Sequence, residues 1–61
     1  MSHVKEFEAR GEDALPELFG TAKYWLSGNP DVTVTEIGLH YDVDGPGEII
    51  TTLRLYYRNR K

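Results

Sequence analysis

The chain contains no cysteine, and this absence excludes the two commonest ways of stabilising so small a domain. Its 61 residues offer no disulfide and no thiolate ligand for zinc. The two histidines, His3 and His40, are too few for a transition-metal site built by one chain. A chain of this length buries only about 60% of the surface that its unfolded form exposes, so stability is marginal. Self-association is the remaining aid, and we expect a dimer or a higher homo-oligomer.

Long apolar runs are also missing. No stretch approaches the roughly 18 consecutive apolar residues of a membrane span. The N-terminal segment from Met1 to Glu6 lacks the apolar core of a signal peptide. We therefore expect a cytoplasmic protein with no membrane contact. The chain shows no repeat, low-complexity tract or linker, which predicts a single small domain over residues 1–61.

The end of the chain lacks acidic residues, although acids are in excess overall. Residues 1–48 hold ten acids and three bases, residues 49–61 hold four bases and no acid, and the net charge is −3. Such an asymmetry favours either a polyanionic partner or pairing between the acidic and basic parts of two copies.

The clearest predicted element is an amphipathic helix over Glu12 to Ser27. Its apolar residues recur at helical spacing and form one broad stripe, made of Leu15, Leu18, Phe19, Ala22, Trp25 and Leu26. Pro16 lacks the N–H that an interior position donates, so the helix must begin at about Glu12 or Asp13. We expect Gly28 to end the helix in the left-handed conformation.

Three segments alternate in hydropathy with a period of two and are predicted strands: Val4 to Ala9, Val32 to Val43 and Glu48 to Arg58. The turn sequence Asp44-Gly45-Pro46-Gly47 makes the last two a hairpin. The third strand is the most apolar, so we place it in the middle, antiparallel to both neighbours. The predicted fold is α+β, of β-α-β-β order, with a three-stranded antiparallel sheet and one helix packed on one face.

The second predicted strand changes phase along its length. Its apolar residues occupy even positions at first and odd positions later: Val32 and Val34, then Ile37, Leu39, Tyr41 and Val43. A one-residue β-bulge near Thr35-Glu36 would bring both sets to one face of the sheet. Without a bulge, the strand carries some apolar surface on each face.

The face of the sheet without a helix is predicted to be partly apolar. On the third strand it carries Ile50, Thr52, Arg54 and Tyr56. A three-stranded sheet with such a face and two free edges usually finds cover, and we expect a second copy to supply it.

The basic and aromatic end of the third strand is the candidate binding surface, made of Arg54, Tyr56, Arg58 and Arg60. Proteins that bind single-stranded nucleic acids combine aromatic platforms with a basic groove. The excess of acidic residues elsewhere in the chain would repel the phosphate backbone of a nucleic acid. Three interpretations stay open: a nucleic-acid site, a site for another anionic ligand or a protein, or a packed tyrosine beside a solvated basic tail.

The aromatic residues of the helix could line a ligand pocket, but packing in the core explains them better. Phe19 and Trp25 belong to the apolar stripe, which predicts that both are core residues, whereas Tyr24 lies off the stripe. His40 has the opposite parity to its apolar neighbours, and we expect it to be exposed.

No catalytic or metal-binding constellation can be assembled from the sequence. Ser2 and Ser27 lie at a terminus and at a helix end, with no evident base beside them. The segment from Asp42 begins like a calcium loop, but Pro46 and Leu53 stand where two of the oxygen ligands are needed. We therefore expect a protein that is not an enzyme and needs no cofactor. Its predicted action is self-association and protein contact, with a phage-type inhibitor of a host factor as a further alternative.

A set of positions along most of the chain resembles the small sporulation-associated proteins of bacilli of the Cse type. These positions are Val4-Lys5-Glu6-Phe7, Glu12, Leu15, Phe19, Trp25-Leu26, Ile37 and the run from Ile49 to Tyr57. The resemblance implies no enzymatic activity. The element order is also similar to that of dodecins, which hold flavin between stacked tryptophans. Because the single Trp of this chain lies on the helix, flavin binding does not carry over.

Overall fold

The computed structural model describes residues 3–60 and contains four elements. These are β1 (His3–Arg10), α1 (Ala14–Ser27), β2 (Val32–Asp44) and β3 (Glu48–Asn59). The strands form one antiparallel sheet in the order β1-β3-β2. The predicted α+β class, the β-α-β-β order and the central place of the third strand are confirmed.

The helix begins as predicted but ends differently. Asp13 is the N-cap residue, which leaves Pro16 in the first turn, where its missing N–H costs nothing. Gly28 is right-handed, with φ −84°, so the predicted left-handed end is wrong. The side-chain amide of Asn29 instead donates a hydrogen bond of 2.8 Å to the carbonyl oxygen of Trp25. The backbone N–H groups of Gly28 and Asn29 also donate to the carbonyl oxygens of Trp25 and Leu26, each at 3.1 Å, so the last carbonyls are satisfied by a tightened, right-handed final turn.

The phase change in β2 is a β-bulge at Thr35. Val34 lies opposite Tyr57 and Glu36 opposite Tyr56, which leaves Thr35 as the extra residue. The predicted bulge is therefore confirmed, and it places the apolar residues on both sides of Thr35 on the same face of the sheet. That face is the one that carries α1.

The β2–β3 hairpin closes through the predicted turn. Asp44 lies opposite Glu48, and the two glycines between them have positive φ, +57° at Gly45 and +101° at Gly47. Residues with a Cβ rarely adopt these angles, which explains why the turn contains two glycines.

The core lies between α1 and the two strands that it covers, β1 and β3. Its buried side chains are small or of medium size: Ala9, Ala14, Leu18, Ala22, Leu53, Leu55 and Thr51. Trp25 completes it, since its ring makes edge-to-face contacts with Phe7 at 6.2 Å and Tyr57 at 5.2 Å between centroids. Trp25 thus packs in the core, as predicted. Within residues 3–60, no helix is long and apolar enough to cross a membrane.

Candidate functional site

One side of the sheet combines a covered half with an open half. The helix lies over β1 and β3, while the apolar residues of β2 on the same face remain exposed. We call these residues, with a neighbour on β3, the apolar strip: Ile37, Leu39, Tyr41, Val43 and Ile49. Their exposed fractions range from 44% to 64%. The alternation of β2 builds the strip, because every second residue after the bulge points to this face.

A groove runs between α1 and β2 beside the apolar strip. Its volume is about 600 Å³, and its floor includes Leu53 and Leu55 of the central strand. Phe19 and Lys23 line the helical wall, and Lys23 is the one charged residue among the lining residues that the structure describes. Phe19 is 51% exposed, so the prediction that it is a core residue is wrong. The stripe on α1 is wider than the sheet area that the helix covers, and Phe19 lies at its uncovered margin.

The opposite face of the sheet carries Ile50, Thr52, Arg54 and Tyr56, as predicted, together with the exposed Val4 and several charged residues. Glu6 and Arg54 lie directly opposite each other on β1 and β3 and form an ion pair. Arg10 contacts Asp44 at 3.1 Å and Glu48 at 3.4 Å. The larger exposed apolar surface therefore lies on the helix side of the sheet. The physical reason is the bulge, which moves the apolar half of β2 to that side.

These contacts stabilise the charged form of both arginines. The hydrogen bond to Glu6 and the charge of its carboxylate raise the pKa of Arg54 above its ordinary value. Hydrogen bonds to Asp44 and then to Glu48 raise the pKa of Arg10 in the same way. Each arginine is thus directed to acids of its own chain, which reduces its availability to an anionic ligand.

The four predicted binding residues occupy alternate positions along β3 and just beyond its end. Arg54 is paired with Glu6, and Tyr56 is half-buried opposite Val4. Arg58 and Arg60 are exposed at the end of the strand. Arg58 and Arg60 thus share one hollow, while the side chain of Arg54 contacts both Glu6 and Tyr56.

Arg58 and Arg60 line a small polar hollow of about 340 Å³, together with Thr33 and Asn59. The Nε of Arg60 donates to the hydroxyl oxygen of Thr33 at 3.0 Å, and its backbone N–H donates to the carbonyl oxygen of Asp31 at 2.8 Å. Two guanidinium groups at one hollow favour an anion chemically.

The candidate catalytic and metal-binding groups are engaged in local structure. The hydroxyl of Ser27 donates to the carbonyl oxygen of Lys23 at 3.0 Å, and Ser2 lies outside the described residues. Asp42 accepts a hydrogen bond from the N–H of Val43, and Asp44 contacts Arg10. Across residues 3–60, no group of three or more His, Cys, Asp or Glu side chains could hold a metal ion. His40 is exposed, as predicted.

Sequence reasoning missed the groove. The signal was present in the set of predicted elements, which has three strands and one helix to cover them. A helix is about 10 Å wide, which matches two strands rather than three. Either edge strand could stay uncovered, and it is β2 because α1 lies over β1 and β3.

Comparison with protein-family models, with the curated proteins and with the solved structures finds no match to this chain. The resemblance to the sporulation-associated proteins therefore stays a prediction.

Proposed function

We propose that this chain is a non-catalytic cytoplasmic protein that acts by self-association and by contact with other proteins. The observation that carries the proposal is the apolar strip beside the groove. Five strip residues and Phe19 leave on the order of 600 Å² of apolar side-chain surface in contact with water. Patches of this size are at the upper end for monomeric proteins and mark interaction sites.

The small core supports the same proposal. Three of its buried hydrophobic residues are alanines, which contribute little apolar area each. A domain of this size gains from any contact that covers further apolar surface. Self-association is the simplest such contact, since it needs no other molecule.

The test is the mass of the protein in solution, measured by light scattering on a size-exclusion column. We expect a multiple of 7.0 kDa for the unmodified chain. Tyr41→Lys places a charge on the apolar strip and should reduce the mass to that of the monomer. His40→Lys is the matched control, because its side chain lies on the other face of the same strand. A monomeric mass for the unmodified chain at all concentrations would refute self-association.

A second candidate function rests on the hollow at Arg58 and Arg60. Two guanidinium groups at one end of the sheet favour a phosphate or another anion. Binding of nucleic acid at this site would weaken with salt. Retention on a column of immobilised single-stranded DNA tests it, and Arg58→Glu should abolish the retention while Lys5→Glu, on the other edge strand, should preserve it. Equal retention of both variants would contradict this candidate.

A further inference from the structure

We propose that the apolar strip of one copy stacks face to face on the apolar strip of a second copy, so that each β2 occupies the partner's groove. This inference rests on the proposed self-association and specifies the surface and the geometry that it uses. The two copies would be related by a two-fold axis through the centre of the contact.

The thickness of the layers makes this geometry possible. The Cα trace measures 45 × 20 × 12 Å, as expected for one sheet under one helix. A helix is about 10 Å thick, and stacked sheets are also about 10 Å apart. A partner strand stacked on β2 therefore lies at the same height above the sheet as α1. It fits beside the helix, with Phe19 against its edge.

The composition of the strip favours a second copy as its occupant. All five side chains of the strip are apolar or aromatic, so stacking the strip on its own copy pairs apolar with apolar surface. With Phe19 included, each copy can bury at most on the order of 600 Å² of this surface, the lower end of the range for stable complexes. A symmetric contact of this kind closes on itself and ends at the dimer.

The charges at the margin are compatible with this arrangement. Lys23 lines the groove, and within residues 3–60 its ammonium group forms no ion pair. A lysine at this wall can lay its apolar stem along the partner strand while its charge stays in water at the rim of the contact.

Cross-linking tests the geometry directly, because the natural chain contains no cysteine. Single cysteines are introduced by Tyr41→Cys and, as a second strip position, Val43→Cys. His40→Cys is the matched control on the opposite face of the same strand. Each variant is treated with a short bis-maleimide that bridges the ~10 Å between stacked sheets. In the stacked dimer, the two copies of residue 40 point away from each other, so their thiols lie at least about 15 Å apart with the two strands between them.

We expect about tenfold more cross-linked dimer from the two strip variants than from His40→Cys, given that separation. Equal cross-linking of all three variants would overturn the stacking and indicate that two β2 edges pair side by side. A dimeric mass without cross-linking at either strip position would overturn it in favour of another surface, while self-association itself stands. A monomeric mass for the unmodified chain would overturn the stacking together with the proposed function.

Discussion

The hydroxyl of Thr35 donates a hydrogen bond of 3.2 Å to the backbone carbonyl oxygen of Tyr56, at the point where β2 carries one residue more than β3. The bond ties the bulged residue to the central strand. One inserted residue thereby decides which face of the sheet receives the apolar residues of β2. The exposed strip, the groove and the proposed interface all depend on it.

Deleting Thr35 should destabilise the protein more than replacing it. Without the extra residue, either Val34 or the apolar strip must move to the other face of the sheet. Thr35→Ala removes only an exposed hydrogen bond and should cost less than about 1 kcal/mol. Urea unfolding monitored by circular dichroism compares the two variants. Equal midpoints would show that the bulge is not required.

Substitution at two glycines should have opposite effects. Gly28 has φ −84°, and a Cβ there would meet the Trp25 carbonyl oxygen at 3.6 Å, an ordinary contact. Gly28→Ala should therefore raise the free energy of unfolding by about 0.5 kcal/mol. Gly47 has φ +101°, so Gly47→Ala should lower it by about 1–2 kcal/mol. Thermal unfolding measures both, and a stabilising Gly47→Ala would contradict the turn geometry.

Trp25 should be the most sensitive aromatic residue of the helix. Its ring contacts Phe7 and Tyr57, so Trp25→Ala should cost about 3 kcal/mol, a large part of the stability of a domain this small. The neighbouring Tyr24 is 82% exposed, and Tyr24→Ala should change the free energy of unfolding by less than about 0.5 kcal/mol. Chemical denaturation of the two variants is the measurement. Similar losses would place the core contact elsewhere on the helix.

Phe19 and Tyr24 should differ in their effect on association. Both are exposed aromatic residues of α1, but Phe19 lines the groove and Tyr24 does not. Phe19→Glu should lower the mass in solution toward that of the monomer, because it places a carboxylate at an apolar contact. Tyr24→Glu should leave the mass unchanged. Sedimentation velocity at several concentrations separates these outcomes, and dissociation by Tyr24→Glu alone would place the interface on the other flank of the helix.

The sequence predicts the elements of this fold because their signals are local. The spacing of Leu18, Ala22 and Trp25 defines the helix, and the change of parity between Val34 and Ile37 indicates the bulge. The end of the helix was predicted less well. A glycine after a helix is compatible with either hand, and here backbone bonds from Gly28 and Asn29 and the Asn29 side-chain amide close a right-handed final turn.

Only the tertiary structure decided where the candidate site lies. The sequence indicates that Ile37, Leu39 and Tyr41 share a face, and that Arg54 and Arg58 share a strand. It does not show that α1 leaves β2 uncovered. It also does not show that Glu6 lies opposite Arg54 and forms an ion pair with it. The periodicity of the sequence shows which face of a helix or strand a residue lies on, because the local backbone alone sets that direction. The cover over that face, and the partner of a charge, are set by elements distant in the chain.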